Sequence, residues 1–225
     1  MLLKVKNLTK SFAQKNITDE IVIFNDTSFQ LDHAQTLSIV GRSGSGKSTL
    51  LAMIAGIDRE FKGEIEFKGD QLSSLKEKQI TALRASEMGI VFQQYHLMEH
   101  LSALENVMLP LEILKINNAQ AKAISLLTKV GLKNRINHFP STLSGGEKQR
   151  VAIARAIVAK RSIILADEPT GSLDEKNGDL IIELFFDLVE TYKSALVIVT
   201  HSTKIAAKAD YVLQIKDGQL SPLKL

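Results

Sequence analysis

The stretch Gly41-Arg42-Ser43-Gly44-Ser45-Gly46-Lys47-Ser48-Thr49 constrains this chain more than any other. It matches G-x-x-x-x-G-K-[S/T], a loop that works only at a strand-to-helix turn. The flanks suit that turn: 36–40 (TLSIV) reads as a short buried strand, and 48–57 (STLLAMIAGI) as an apolar helix. Glycines there let backbone N–H groups approach a polyphosphate, and the following helix directs its positive end at the same anions. Lys47 is placed to reach the β- and γ-phosphates, and the Ser48 hydroxyl to ligate Mg²⁺. The bland alternative is a Gly/Ser-rich loop with a chance lysine, and the two flanks argue against it. The expected ligand is a nucleoside triphosphate.

Length and composition narrow the rest. A chain of 225 residues suits one domain of one or two lobes. With no cysteine, disulfide frameworks and thiolate metal sites are excluded. The N-terminal MLLKVKNLTKSF is too short and too charged for a secretory signal, so a reducing cytosol is the expected setting. No window offers about 18 uninterrupted apolar residues, so no bilayer span is expected. A net charge of +3 is mild. It fits a solvated basic surface or one resting near anionic lipid, and gives no ground for nucleic-acid binding.

The N-terminal third reads as β-rich, with strands at 2–8, 21–31 and 63–68 and a polar hairpin loop at 14–20. A charged surface helix is expected at 76–85, and a short buried strand (MGIVF) at 88–92. From 101 to 160 the pattern turns helical. One helix covers 103–114, where Pro110 limits or kinks it; another covers 118–130, with Gly131 as its stop. Ser144-Gly145-Gly146-Glu147 fits the capping box S-x-x-E ahead of the apolar run 151–159. Such a helix start, with two glycines, is a second anion site far in sequence from the first. Then come a strand at 162–166, an amphipathic helix at 179–192, a strand at 195–200, a short helix at 205–209, and a closing hairpin that turns at Asp217-Gly218. Buried strands alternating with helices indicate an α/β core with a largely parallel sheet.

Several of these strands end in polar residues, where open α/β sheets bind ligands. Asp167 follows the apolar 163–166 and is placed to hold Mg²⁺. Glu168 follows, a second acid placed to orient and polarise a water. His201, at the end of 195–200, is read either as a γ-phosphate contact or as a structural histidine. Phe12 is read either as an adenine-stacking ring or as core.

These motifs together resemble an ABC transporter nucleotide-binding subunit over nearly the whole length. Gly41 to Thr49 is the P-loop, with Gly41, Ser43, Gly44, Ser45, Gly46, Lys47, Ser48 and Thr49 facing the nucleotide. Leu143-Ser144-Gly145-Gly146-Glu147 is similar to the family signature, with Glu147 where glutamine is commonest. Ile163 to Glu168 corresponds to Walker B with its catalytic glutamate, and Ser172-Leu173-Asp174 to the D-loop. Gln93 corresponds to the Q-loop glutamine, a further Mg²⁺ ligand that serves catalysis; His201 corresponds to the switch histidine. Phe12 stands where a tyrosine usually stacks on adenine.

The resemblance implies a P-loop ATPase core with a mostly parallel sheet, an N-terminal antiparallel β-subdomain and a helical signature subdomain. The lobes implied are 1–92 plus 161–225 and 93–160, within one domain over 1–225. It also implies a head-to-tail dimer. Each Mg-ATP lies between the P-loop of one subunit and Ser144, Gly145, Gly146 and Glu147 of the other, with Asp174 at the same interface.

Segments such as 91–97 (VFQQYHL) and 166–174 (ADEPTGSLD) are similar to the group serving lipoprotein release, macrolide export and bacterial cell division. In that group the ATPase drives a separate integral membrane subunit from the cytoplasmic face of the inner membrane. Docking is expected between Gln94 and Leu111, where Tyr95, Leu97, Met98 and Leu101 either form a partly exposed groove or belong to the core. A nucleotide-switched scaffold of the cell-division type is the alternative. A soluble ATPase of the DNA-repair or chromosome-organising type fits poorly, because about 120 residues without sustained heptads separate Lys47 from Asp167. The iron–sulfur-assembly type stays open, although the segment Gln93 to Val107 fits it less well.

Overall fold

A computed structural model describes residues 1–13 and 20–224. The expected hairpin loop at 14–20 lies outside the described residues except for Glu20. In chain order the elements are β1 (Leu3–Ala13), β2 (Glu20–Leu31), β3 (Thr36–Val40), α1 (Lys47–Ile54), β4 (Lys62–Phe67), β5 (Asp70–Gln71), α2 (Glu77–Glu87), β6 (Met88–Val91), α3 (Ala103–Ile113) and α4 (Ala119–Lys129). They continue with α5 (Gly145–Ile157), β7 (Ile163–Asp167), α6 (Glu175–Tyr192), β8 (Ala195–Thr200), α7 (Thr203–Ala206), β9 (Tyr211–Lys216) and β10 (Gln219–Pro222).

The chain folds as two compact units, Met1–Arg84 with Ala195–Leu225, and Ala85–Ser194. In the first, β1 pairs antiparallel with both β2 and β4, and β4 pairs antiparallel with β5. This unit also holds β3 between β8 and β9, parallel to both. All six residues of β8 are buried, as are four of the five in β3. Strands covered on both faces read as continuous apolar runs, which is why 36–40 and 195–200 stand out in the sequence. Asp217 (φ 50°) and Gly218 (φ 76°) both take left-handed backbone at the β9–β10 turn, as a two-residue hairpin requires.

In the second unit β6 and β7 pair in parallel. The apolar stripe of α6 buries Ile181, Ile182, Phe185, Leu188 and Val189. Each such side chain contributes about 1.5–3 kcal/mol on full burial. Gly131 takes φ 77° just past α4 and ends it as expected.

Three elements refine the sequence reading. First, α3 runs to Ile113, within a residue of the expected end at 114, so Pro110 does not limit it. Its start is locked by a Ser102–Glu105 capping box, and the fully buried Asn106 amide donates to the carbonyls of Met98, Leu101 and Ser102. Second, α6 begins at Glu175 rather than 179, because the Asp174 carboxylate accepts from the Asn177 N–H and caps it. Third, α7 is one turn, beginning at Thr203 after the Ser202 cap and ending at Ala206.

Close backbone approach fixes β6. A Cβ at Gly89 would lie 2.4 Å from the Ala156 carbonyl oxygen of α5 and 2.6 Å from Ile164 Cδ1. Gly89→Ala is therefore expected to destabilise the protein by about 1–3 kcal/mol, lowering the thermal midpoint by roughly 2–10 °C. An unchanged melting curve would contradict the packing.

Candidate functional site

In the first unit β3 and β8 end level, with Val40 opposite Thr200, so the loop that starts at Gly41 and the exposed His201 leave adjacent strands together. At the far end of that loop Gly46 is the N-cap of α1, at φ 93°. A Cβ there would lie 2.2 Å from Ile23 Cγ2 and 3.1 Å from the Phe24 ring, so both the conformation and the space call for glycine. The start of α1 has no side-chain cap and no acidic residue in its first turn. Its leading N–H groups and positive dipole end suit an anion.

The Lys47 side chain is buried, and its ammonium reaches back to donate to the Gly41 carbonyl at 2.9 Å and the Arg42 carbonyl at 3.1 Å. The loop is thus pre-closed around a fixed positive charge. Ser43, Gly44 and Ser48 are exposed, while Ser45 and Thr49 are half-buried. A polar cavity of about 520 Å³ is lined by Arg42, Ser43, Gly44, Ser45 and Lys216.

Phe12 is not core: its ring is 45% exposed. One face lies over the Lys10 ammonium at 4.7 Å. Lys10 is buried, paired with Asp58 at 2.9 Å, and donates to the Glu60 carbonyl. The ring therefore stands on a fixed cation, an arrangement invisible in the sequence because Lys10 and Asp58 are far apart along the chain.

In the second unit β6 and β7 also end level, Val91 opposite Ala166, so the approach to Gln93 and the pair Asp167–Glu168 leave adjacent strand ends. Asp167 closes β7. Glu168 turns left-handed at φ 45°, and its carbonyl accepts from the Gly171 N–H at 2.9 Å. Gln93 is exposed and packs on this turn; a Cβ at Gly171 would lie 2.9 Å from Gln93 Nε2.

The capping box at α5 forms as expected. Ser144 Oγ accepts from the Glu147 N–H at 3.3 Å, and the Glu147 carboxylate accepts from the Ser144 N–H at 2.8 Å. Gly145 and Gly146 are the first two residues of the helix. A cavity of about 420 Å³ opens on them, lined also by Arg150 and Asp174. Glu147 adds a negative charge to an anion site. Arg135 offsets it, its Nε donating to the carboxylate at 3.1 Å. The Ser144 N–H, with help from the Ser144 hydroxyl and Arg135, holds the Glu147 carboxyl below its usual range despite partial burial. Asp174 is likewise lowered, chiefly by the Asn177 side-chain amide.

Sequence reading missed Lys10, Arg135 and the Asp174 cap. The cap alone had a local signal, an Asp placed before a helical run. Tyr95, Leu97 and Leu101 are half-buried and Met98 is 42% exposed, so the expected partly exposed apolar stretch is present.

A polyphosphate loop, a strand-end Asp–Glu pair and a second glycine-rich helix start define a nucleotide-binding ATPase class. The chain belongs to the ABC transporter family, whose sequence model matches residues 24–171. It is 42% identical over 222 residues to "Lipoprotein-releasing system ATP-binding protein LolD" of Wigglesworthia glossinidia brevipalpis, covering 98% of this chain and 96% of that protein. It is 43% identical over 218 residues to the protein of the same name in Treponema denticola, covering 96% of each. Among solved structures it is similar, at TM-score 0.88 and 35% identity over all of both chains, to the dimeric post-hydrolysis state of the ATP-binding cassette MJ0796 bound to ADP and Pi.

Lowered carboxyl values make stability fall in acid. Where Glu147 and Asp174 are ionised in the folded state but protonated in the unfolded one, the unfolded chain binds more protons, so stability rises with pH. The contribution is complete above the ordinary carboxyl range and is lost as pH falls through the lowered folded values. Glu147→Gln is therefore expected to flatten the loss of stability between about pH 5 and pH 3. Urea unfolding across that range checks this, and identical acid slopes for both proteins would contradict the assignment.

Proposed function

We propose that the chain is the ATP-hydrolysing subunit of a bacterial ABC transporter complex of the lipoprotein-releasing type. It dimerises head to tail around two Mg-ATP and drives a separate integral membrane subunit at the cytoplasmic face of the inner membrane. The observation that carries this reading is the second anion site. A lone P-loop ATPase needs only the loop at Gly41–Gly46, yet Ser144, Gly145 and Gly146 open α5 onto a cavity of their own. A head-to-tail pair gives that site a γ-phosphate to hold. The near full-length similarity to lipoprotein-releasing ATP-binding proteins supports the choice of transporter type.

The roles follow from the chemistry of each group. The P-loop N–H groups and Lys47 bind the phosphates, and Phe12 stacks on the base. Ser48, Gln93 and Asp167 supply a hydroxyl, an amide oxygen and a carboxylate. These are hard oxygen donors suited to Mg²⁺ that arrives with the nucleotide. When bound, Mg²⁺ neutralises the charge that develops on the phosphates. Glu168 orients and deprotonates the attacking water, and His201 contacts the γ-phosphate. Asp174 shapes the turn that faces the partner's nucleotide.

The membrane subunit docks along the stretch from Gln94 to Leu111. Met98 is exposed there, and Leu109 and Pro110 line a concavity of about 240 Å³ whose rim includes the 61%-exposed Ile113. No helix among the described residues is long and apolar enough to cross a membrane.

Two substitutions separate binding from turnover. Lys47→Ala is expected to weaken ATP binding by roughly 10- to 100-fold, the worth of a charge-assisted contact. Glu168→Gln is expected to keep binding, slow hydrolysis by about 10²- to 10⁴-fold, and accumulate a dimer in Mg-ATP. Light scattering after size exclusion reads the dimer; a Glu168→Gln protein that stays monomeric at saturating Mg-ATP would refute the reading.

A further inference from the structure

Tyr95 and His96, two residues past Gln93, are consecutive non-glycine residues in left-handed backbone, at φ 60° and 46°. Such backbone persists only where its surroundings fix it. Here Arg155 of α5 fixes it: one guanidinium nitrogen donates to the Tyr95 carbonyl at 2.8 Å and the other to the His96 carbonyl at 2.6 Å. Burial lowers the Arg155 pKa from its ordinary value. A charged group is therefore committed to holding two carbonyls in a short loop.

The turn so fixed aims the Tyr95 side chain at a junction. The Ser172 hydroxyl donates to the Gln93 carbonyl at 3.2 Å, and its oxygen lies 2.9 Å from Tyr95 Oη, whose O–H can donate to it. A Cβ at Gly145 would come within 3.0 Å of the same Tyr95 hydroxyl, so the first residue of α5 is packed against it too. Ser172 directly follows the turn that begins at Glu168, whose carbonyl is tied to the Gly171 N–H. The phenol oxygen of Tyr95 thus meets Ser172 and the glycine start of α5, and Ser172 in turn meets the Gln93 carbonyl.

We propose that Tyr95 is a positioning residue for ATP hydrolysis, its hydroxyl tying Ser172 and the Gln93 loop together so that Glu168 is held at its working angle, with Arg155 setting the Tyr95 backbone. This rests on the reading of Glu168 as the residue that activates water. Phosphate binding belongs to the P-loop and Lys47, so loss of the Tyr95 hydroxyl acts on turnover and not on affinity. Misplacing a catalytic group by a fraction of an ångström is enough to slow the step severalfold or more.

The test is steady-state ATPase of the full chain as wild type, Tyr95→Phe, Ser172→Ala, Ser172→Thr and the Tyr95→Phe/Ser172→Ala double variant, with melting curves for each. Tyr95→Phe and Ser172→Ala are each expected to lower kcat by roughly tenfold, with KM for Mg-ATP within about twofold of wild type and the melting midpoint little changed. The double variant is expected to be no slower than the slower single one, because both remove the same contact. Ser172→Thr, which keeps the hydroxyl, is expected to retain most of the activity. Wild-type kcat in Tyr95→Phe overturns the proposal, as does a loss that tracks a rise in KM and a fall in melting midpoint. A wild-type protein that binds Mg-ATP without hydrolysing it overturns the ATPase reading itself, and this proposal with it.

Discussion

The proposed chemistry of this chain depends on backbone N–H groups presented at two helix starts, α1 after Gly46 and α5 after Ser144. Four leading N–H groups of any helix lack an intrahelical partner, and they carry the positive end of the dipole. The two starts are built in opposite ways. At α1 no side chain caps the helix, and glycine with φ 93° lets the loop close over the Lys47 ammonium. At α5 the Ser144 and Glu147 side chains satisfy part of the helix start before any ligand arrives. The first start is shaped to bind strongly on its own. The second is stiff and partly satisfied, which suits a site engaged only when another copy brings a phosphate to it.

Glu147 sharpens that difference. A carboxylate in the first turn stabilises the helix but repels an incoming anion. Arg135 lies against it, and Arg150 lines the same cavity. The pair is partly exposed, so water and salt screen it and its contribution to stability is modest. Its larger consequence is local: Arg135 leaves the helix start with little net negative charge. This gives a physical reason why glutamate can stand where glutamine is common.

Much of the fold was legible because the strands that form the site are buried on both faces. TLSIV, MGIVF and ALVIVT could be little else than core strands, and the polar residue after each strand marked its working end. The glycine pattern at Gly41–Gly46 and the S-x-x-E box at Ser144 were equally readable, because each is a local solution to a local need. The same box stands at Ser102, and the expected helix 103–114 forms as 103–113 through Pro110. A proline in the helix cost less here because Asn106 and the Ser102 cap hold the turns before it. What the sequence could not disclose were pairings between distant residues: Lys10 with Asp58 beneath Phe12, Arg135 with Glu147, and Arg155 with the Tyr95–His96 turn. Nothing in local composition announces left-handed backbone at a tyrosine and a histidine.

In the proposed dimer two copies meet head to tail, with the loop of one against the α5 start of the other. The chain has no cysteine, so single cysteines report cleanly on geometry. Ser43 and Ser144 are both exposed and mark the two sites. In a Glu168→Gln background, Ser43→Cys and Ser144→Cys proteins would be mixed with a short bis-maleimide, with and without Mg-ATP. The account predicts a cross-linked dimer only in the mixture and only with Mg-ATP. Efficient cross-linking of Ser43→Cys to itself, or a product indifferent to nucleotide, would contradict it.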